Sequence, residues 1–254
     1  MNCGLLMWTI WNRMKNKFTI PYLGVSFFLL TLLLALFSWI GSIYGVGEIQ
    51  SLLDAEGIRW VLGHVVENYV QAPALGIVLL LFMGLGIFVR SGMYAVLKRV
   101  SQREKLLSRK ERRALTLALG VLLVYIGCVL LALFLPWNFL LGVTGNWLHS
   151  PFSKGLVYIL SIGIGLSGMV YGFVSDTFRG LTDVFQSMSW LIARKSSYFV
   201  ALFFIVQFFA SLEYTRLVDG LNIEGDIWEV VFHFFCFLPL FADYLIDVFA
   251  SSPK

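Results

Sequence analysis

Five residues able to move protons or hold cations share one side of a single apolar segment near the C-terminal end of the sequence. Glu229, His233, Cys236, Asp243 and Asp247 fall within roughly 80° of one another at about 100° per residue, so a helix would gather them into one polar stripe. Such a stripe could line a proton or cation path, with His233 as the group that titrates near neutrality. The competing reading is interfacial. Glu229 and Asp247 are 18 residues apart, about 27 Å along a helix, so they can reach opposite headgroup layers, with Asp243 one turn inside Asp247. Only His233 and Cys236 would then lie deep, too few ligands for a metal site. No HExxH, GxSxG or Walker sequence occurs, so the chain is read as calling for no cofactor and no enzymatic chemistry.

A second pattern concerns packing. Ser161, Gly165, Gly168 and Gly172 recur at steps of four, three and four, and the last two form GxxxG. Residues this small let a neighbouring backbone come close enough for dispersion to hold two helices together. The face would pack inside the chain or form the seam of a homodimer.

The elements that must carry these residues follow from composition. Of the 254 residues 59% are hydrophobic and only 13% charged, where soluble domains have about 45–50% and about 25%. A soluble globular domain is excluded, and the net charge of +4 reads as membrane topology rather than nucleic-acid binding. Six apolar runs are long enough to span a bilayer: 20–44, 73–97, 115–135, 152–174, 197–212 and 227–250. The fold class is all-α, a polytopic helical membrane protein. Pro21, Pro73 and Pro151 stand where helices would begin, and Pro239 should kink the sixth. The first run is longer than the about 7–15 residues of a signal peptide's apolar region, so it is expected to be retained as a span.

Residues 98–113 carry eight basic side chains against Glu104 and Glu111, a net +6, which marks a cytoplasmic loop. Both termini then fall inside, at the bacterial inner membrane. Three further stretches look helical but too polar to cross. These are the N-terminal segment 1–19 with Trp8 and Trp11, then 56–69, then 181–193, and interfacial placement is expected for each. A faint duplication links Leu53-Asp54, Trp60 and the span from Pro73 with Thr182-Asp183, Trp190 and the span from Ser197. Alternating topology would make the two copies an inverted repeat, a plan frequent in secondary transporters. Glu213 and Arg216, three apart, are expected to pair.

Several stretches resemble the aminobenzoyl-glutamate transporter (AbgT-type) family. They include Ser51-Leu-Leu-Asp-Ala-Glu-Gly-Ile-Arg-Trp60, Ala72-Pro-Ala-Leu-Gly76, Gly84-Leu-Gly86 and Ser108-Arg-Lys-Glu-Arg-Arg113. Ser150-Pro-Phe-Ser-Lys-Gly155 and the segment from Ser197 to Phe208 follow in the same order. The resemblance implies dimeric, ion-coupled inner-membrane carriers of about twice this length, with inverted repeats and two re-entrant hairpins, acting on aminobenzoyl-glutamate or sulfonamides. It further implies that this chain keeps the frame helices and lacks the hairpins that hold substrate and cation, so no site residue is carried over.

The function expected on that basis is a membrane scaffold or accessory transport subunit, with a second copy of itself or another membrane subunit as partner. One alternative is a reduced but working transporter of small organic anions, in which the two amphipathic connectors, 56–69 and 181–193, and the stripe of the sixth span replace the lost site. Another is an anchor or sensor whose basic loop recruits a partner or anionic lipid.

Overall fold

Inside a bilayer every backbone N–H and C=O must find its partner within the chain, and for a run of some 20 apolar residues the helix is the local solution. The computed structural model describes residues 3–45, 49–102, 107–134, 150–217 and 225–251. Side chains are described for 20–45, 49–102, 107–133, 150, 152–217 and 227–241. Nine helices occur among these residues: α1 (Cys3–Ile43), α2 (Ala55–Val70), α3 (Pro73–Arg90), α4 (Met93–Ser101), α5 (Arg109–Phe134), α6 (Pro151–Val174), α7 (Leu181–Arg194), α8 (Ser196–Tyr214) and α9 (Gly225–Ser251). Five stretches are long and apolar enough to cross a membrane: Ile20–Ile43, Ala55–Arg90, Arg109–Leu133, Phe152–Val174 and Ser196–Tyr214, with Ile227–Phe241 a shorter apolar one. The chain is a multi-pass helical membrane protein.

Local chemistry sets several boundaries. Ser150 caps α6 by accepting from the Ser153 N–H at 3.1 Å, and Pro151 occupies the first turn, where a missing N–H costs nothing. Pro21 departs from the expected pattern, because α1 already runs from Cys3 and carries that proline in its interior. The expected span 73–97 is also broken. Gly92 has φ of 87°, which a right-handed helix cannot contain, so α3 stops at Arg90 and α4 starts afresh at Met93. α5 begins with a capping box, in which the Glu111 carboxylate accepts from the Ser108 N–H at 3.0 Å while also pairing with Arg99 at 2.6 Å. That residue thus ties the basic end of α4 to the start of α5.

The chain divides into two compact units, Met1–Leu75 with Ser196–Lys254, and Gly76–Lys195. In the first, α1 packs most extensively on α8. A Cβ on Gly24 would lie 3.3 Å from the Ala201 Cα, and Phe27 meets Phe208 edge-on at 5.4 Å and Phe235 at 5.7 Å. α2 docks on α8 as well, where the Gln207 side-chain N–H donates to the Val65 carbonyl at 2.7 Å and the Tyr69 hydroxyl to the Phe199 carbonyl at 3.0 Å. α9 is fixed to α8 where Pro239 interrupts its hydrogen bonding. The buried Tyr198 hydroxyl donates to the Cys236 carbonyl at 3.1 Å.

In the second unit α6 lies against α3. A Cβ on Gly168 would come within 2.9 Å of the Phe88 Cα, one on Gly165 within 3.7 Å of the Gly84 Cα, and the Ser161 hydroxyl donates to the Leu80 carbonyl. α7 backs onto α3 where Gly86 meets the Ser187 carbonyl. α5 packs along α6 with the Tyr125 hydroxyl donating to the Ile159 carbonyl at 2.9 Å. Met93, Val96, Ala114, Ala118 and Tyr171 form a buried cluster at the base of α4.

The duplication read in the sequence has a structural counterpart. α1–α2–α3 and α6–α7–α8 share one order, a span, a short helix and a second span begun after a break of one or two residues. Each unit draws its first two helices from one copy and the last from the other, with α1, α2 and α8 in one and α6, α7 and α3 in the other.

Two measurements in mixed detergent unfolding test this packing. Gly168→Ala should cost about 1–3 kcal/mol, because the Phe88 backbone cannot retreat, whereas Gly120→Ala, which meets open space, should be neutral or stabilise by up to about 1 kcal/mol. Gln207→Leu should cost about 0.6–1.7 kcal/mol and raise hydrogen exchange in α2 selectively.

Candidate functional site

Of the sequence stripe only Glu229 joins the polar residues that come together in the first unit. A cavity of about 350 Å³ opens between the C-terminal part of α2, the C-terminal half of α8 and the start of α9. Its polar lining is Asn68, Gln71, Glu213 and Glu229, and its apolar wall is formed largely by Phe209, Trp228 and Phe232. The volume falls within the about 300–1,000 Å³ typical of small-molecule sites.

Local folding explains each contribution. α2 reaches α8 because Trp60 stacks on Tyr214 at 4.4 Å and 23°, while Gln207 and Tyr69 hold its second half. Those contacts turn Asn68 toward α8 and leave Ile58, Leu62, Val66 and Val70 exposed on the opposite side. At helical spacing Ile58, Val61, Leu62, Val65 and Val66 fall on one side of α2 as an apolar face. In a membrane protein the outer surface is itself apolar, so that pattern does not identify the inward side. α7 behaves alike: Val184 and Ser187 are buried while Leu181 and Phe185 are exposed.

α8 ends at Tyr214 and Arg216 takes a left-handed φ of 54°. Beyond the helix end the Arg216 N–H donates to the Glu213 carbonyl at 3.1 Å. The ion pairs among the described residues are Arg99–Glu111 and Lys110–Asp176, both in the second unit. Phe209 anchors the aromatic wall, with its ring 5.3 Å from Trp228 and 5.3 Å from Phe232. Asn68 is distinctive, since its Nδ2 is buried with no hydrogen-bond partner, the one such side-chain atom among the described residues.

Of the sequence stripe, Glu229 lines this cavity, and His233 sits one turn further along α9 with its Nδ1 donating to the Glu229 carbonyl at 2.8 Å. Cys236 is buried against α8 through its carbonyl. Asp243 and Asp247 fall on α9, but their side chains lie outside the described residues. Among the described residues no cluster of three His, Cys, Asp or Glu could hold a metal ion. Ser161, Gly165, Gly168 and Gly172 all face partners within the second unit, the first three against α3 and the last against Phe178. That face is taken up inside the chain, so a homodimer needs a different surface. Residues 103–106 of the basic segment lie outside the described residues.

Sequence reasoning missed Asn68, Gln71 and the aromatic wall. Asn68 offered one signal, an amide on the same side of α2 as Trp60 and Val65.

Comparisons with known proteins bear on the whole chain. The fold is similar to that of the YdaH transporter of Alcanivorax borkumensis, with a TM-score of 0.69 and 19% identity over 82% of this chain and 74% of that one. It is also similar to MtrF of Neisseria gonorrhoeae, described as illuminating a class of antimetabolite efflux pumps, with a TM-score of 0.68 and 16% identity over 88% and 80%. Each match takes in most of the other chain, where the sequence resemblance implied about half of a carrier. A search of curated proteins finds no match. Residues 12–105 and 95–229 match the AbgT putative transporter family in two stretches that meet at the basic segment, and the chain belongs to that family.

Proposed function

We propose that this member of a transporter family is the frame of a transport system, a scaffold or accessory subunit rather than an autonomous carrier of aminobenzoyl-glutamate or sulfonamides. The observation that carries the reading is that the family model matches in two separate stretches, 12–105 and 95–229, which overlap at the basic segment. There the chain passes from α4 to α5 through a short basic segment, where family resemblance would put two further helices and a hairpin. The interior supports it. Gln207, Tyr69, Tyr198, Tyr125 and Ser161 all spend their donors on carbonyls of neighbouring helices. Side chains used in this way hold helices together and are not available to a cargo.

In this reading the protein sits in the bacterial inner membrane with both termini cytoplasmic, oriented by the basic excess of Lys98–Arg113. It works as a homodimer or beside another membrane subunit, through surfaces other than the glycine face of α6.

A second reading, a reduced but working transporter, is favoured by the cavity between α2, α8 and α9 and by the large shares of YdaH and MtrF that the fold matches. Reconstitution separates the two. Liposomes containing only this protein should give no saturable flux of aminobenzoyl-glutamate or a sulfonamide under a proton or sodium gradient. Saturable, gradient-dependent flux would overturn the frame reading, and its loss in Glu229→Gln would assign it to the cavity.

A further inference from the structure

We propose that the outward side of α5 starting at Arg109 and Arg113 binds an anionic phospholipid, its phosphate held by the basic ends of α4 and α5 and one acyl chain lying along the helix. The proposal goes beyond the frame reading and holds equally for a carrier, since it needs only that α5 spans a bilayer.

Charge selects the sign of the headgroup. Lys98, Arg109, Arg112 and Arg113 are exposed and form no ion pair among the described residues, while the carboxylates of Glu111 and Asp176 are already taken by Arg99 and Lys110. Among the described residues the positive charge of this end of the second unit is left uncancelled. Because the Arg99–Glu111 pair holds the end of α4 beside the first turn of α5, the two helices contribute to one patch, and such a patch at the end of a span attracts anionic headgroups. Tyr94, one turn before Lys98, is exposed on α4 while Met93 and Val96 are buried, the amphipathic arrangement of a helix at the headgroup layer.

The rest of α5 selects a lipid over a free anion. At about 100° per residue Arg109, Arg113, Leu117, Gly120, Val124 and Gly127 fall within roughly 80° of one another, so charged and apolar groups share one face. The protein lies elsewhere around the helix. Ala114 and Ala118, buried with Met93 and Tyr171, and Tyr125, bonded to α6, sit about 100–140° round from Arg113. On the outward face Leu117 is 54% and Val124 68% exposed, and a Cβ on Gly120 or Gly127 would meet nothing within 4 Å. α5 is also the least covered by protein of the five long apolar stretches. From Leu117 to Gly127 the helix rises about 15 Å, half of a hydrocarbon core about 30 Å thick, so the stripe matches an acyl chain of one leaflet beneath its own headgroup. A soluble phosphate would meet only exposed side chains in water, where ion pairing is worth little.

The test uses the full chain purified in dodecyl maltoside and mixed with equal amounts of phosphatidylglycerol and phosphatidylethanolamine, with retained lipid read by native mass spectrometry. Phosphatidylglycerol should be retained in preference by about tenfold or more, as several basic residues at a membrane surface imply, and inorganic phosphate should not displace it. Arg109→Gln with Arg113→Gln, checked for folding by gel filtration and circular dichroism, should cut that preference by about tenfold, the scale of two lost basic contacts. Arg59→Gln with Lys154→Gln, exposed basic residues on α2 and α6, should leave it unchanged. Gly120→Phe, which fills the open space on the outward face without touching a charge, should weaken retention of the lipid. Equal retention of the two lipids, displacement by phosphate, or retention unchanged in either the folded arginine variant or the folded Gly120 variant overturns the proposal. Cys128 is exposed beside this face, so a Cys128–Cys128 crosslink between copies, formed in membranes with copper phenanthroline, would put a second copy there in place of lipid and overturn it as well.

Discussion

A polar side chain turned into hydrocarbon has to find a partner it can keep, and this requirement orders the contacts between helices. Each carbonyl in a helix already accepts one hydrogen bond along its own axis and retains a second lone pair. Gln207, Tyr69, Tyr198, Tyr125 and Ser161 all use that spare capacity on a neighbouring helix. Such bonds are individually modest in membranes, but each fixes which turn of one helix stands beside which turn of another. The register of α1 on α8 is marked instead by packing, in the close approach at Gly24 and the edge-on contact of Phe27 with Phe208.

One side chain departs from that rule among the described residues. Asn68 lies on the inward side of α2 together with Val65 and Tyr69, yet its Nδ2 is buried under protein atoms with no acceptor. Near it Glu213 and Glu229 stand exposed at the lining of an open volume.

Five long apolar helices were legible because length and hydropathy are one-dimensional properties, the sixth run appearing among the described residues as the shorter apolar helix Ile227–Phe241, and so were Pro73 and Pro151 at helix starts and the glycine face of α6. Boundaries governed by a single φ were harder. Gly92 splits an apolar run that reads as continuous, and α8 stops at Tyr214, just short of the left-handed Arg216. The apolar face of α2 misled for a physical reason, since in a bilayer hydrophobic residues point outward as readily as inward. The cavity was invisible in sequence. Its residues come from α2, α8 and α9, and only the docking of Trp60 on Tyr214 and of Gln207 on α2 brings them to one place. Of the stripe on α9, which could line a path or anchor at the two interfaces, Glu229 alone of the described members lines the cavity.

The exchange of helices between the two repeats has a consequence for how the protein is made. During synthesis α1 enters the membrane long before α8, its main packing partner, exists. Roughly 150 residues separate Ile43 from Ser196, about 8–30 s at about 5–20 residues per second. Over that interval the small-residue side of α1 around Gly24 faces lipid, and α3 likewise waits for α6. Nascent chains would therefore spend their first seconds as separate helices whose final neighbours are still inside the ribosome, a window in which an insertase or a membrane protease meets them first.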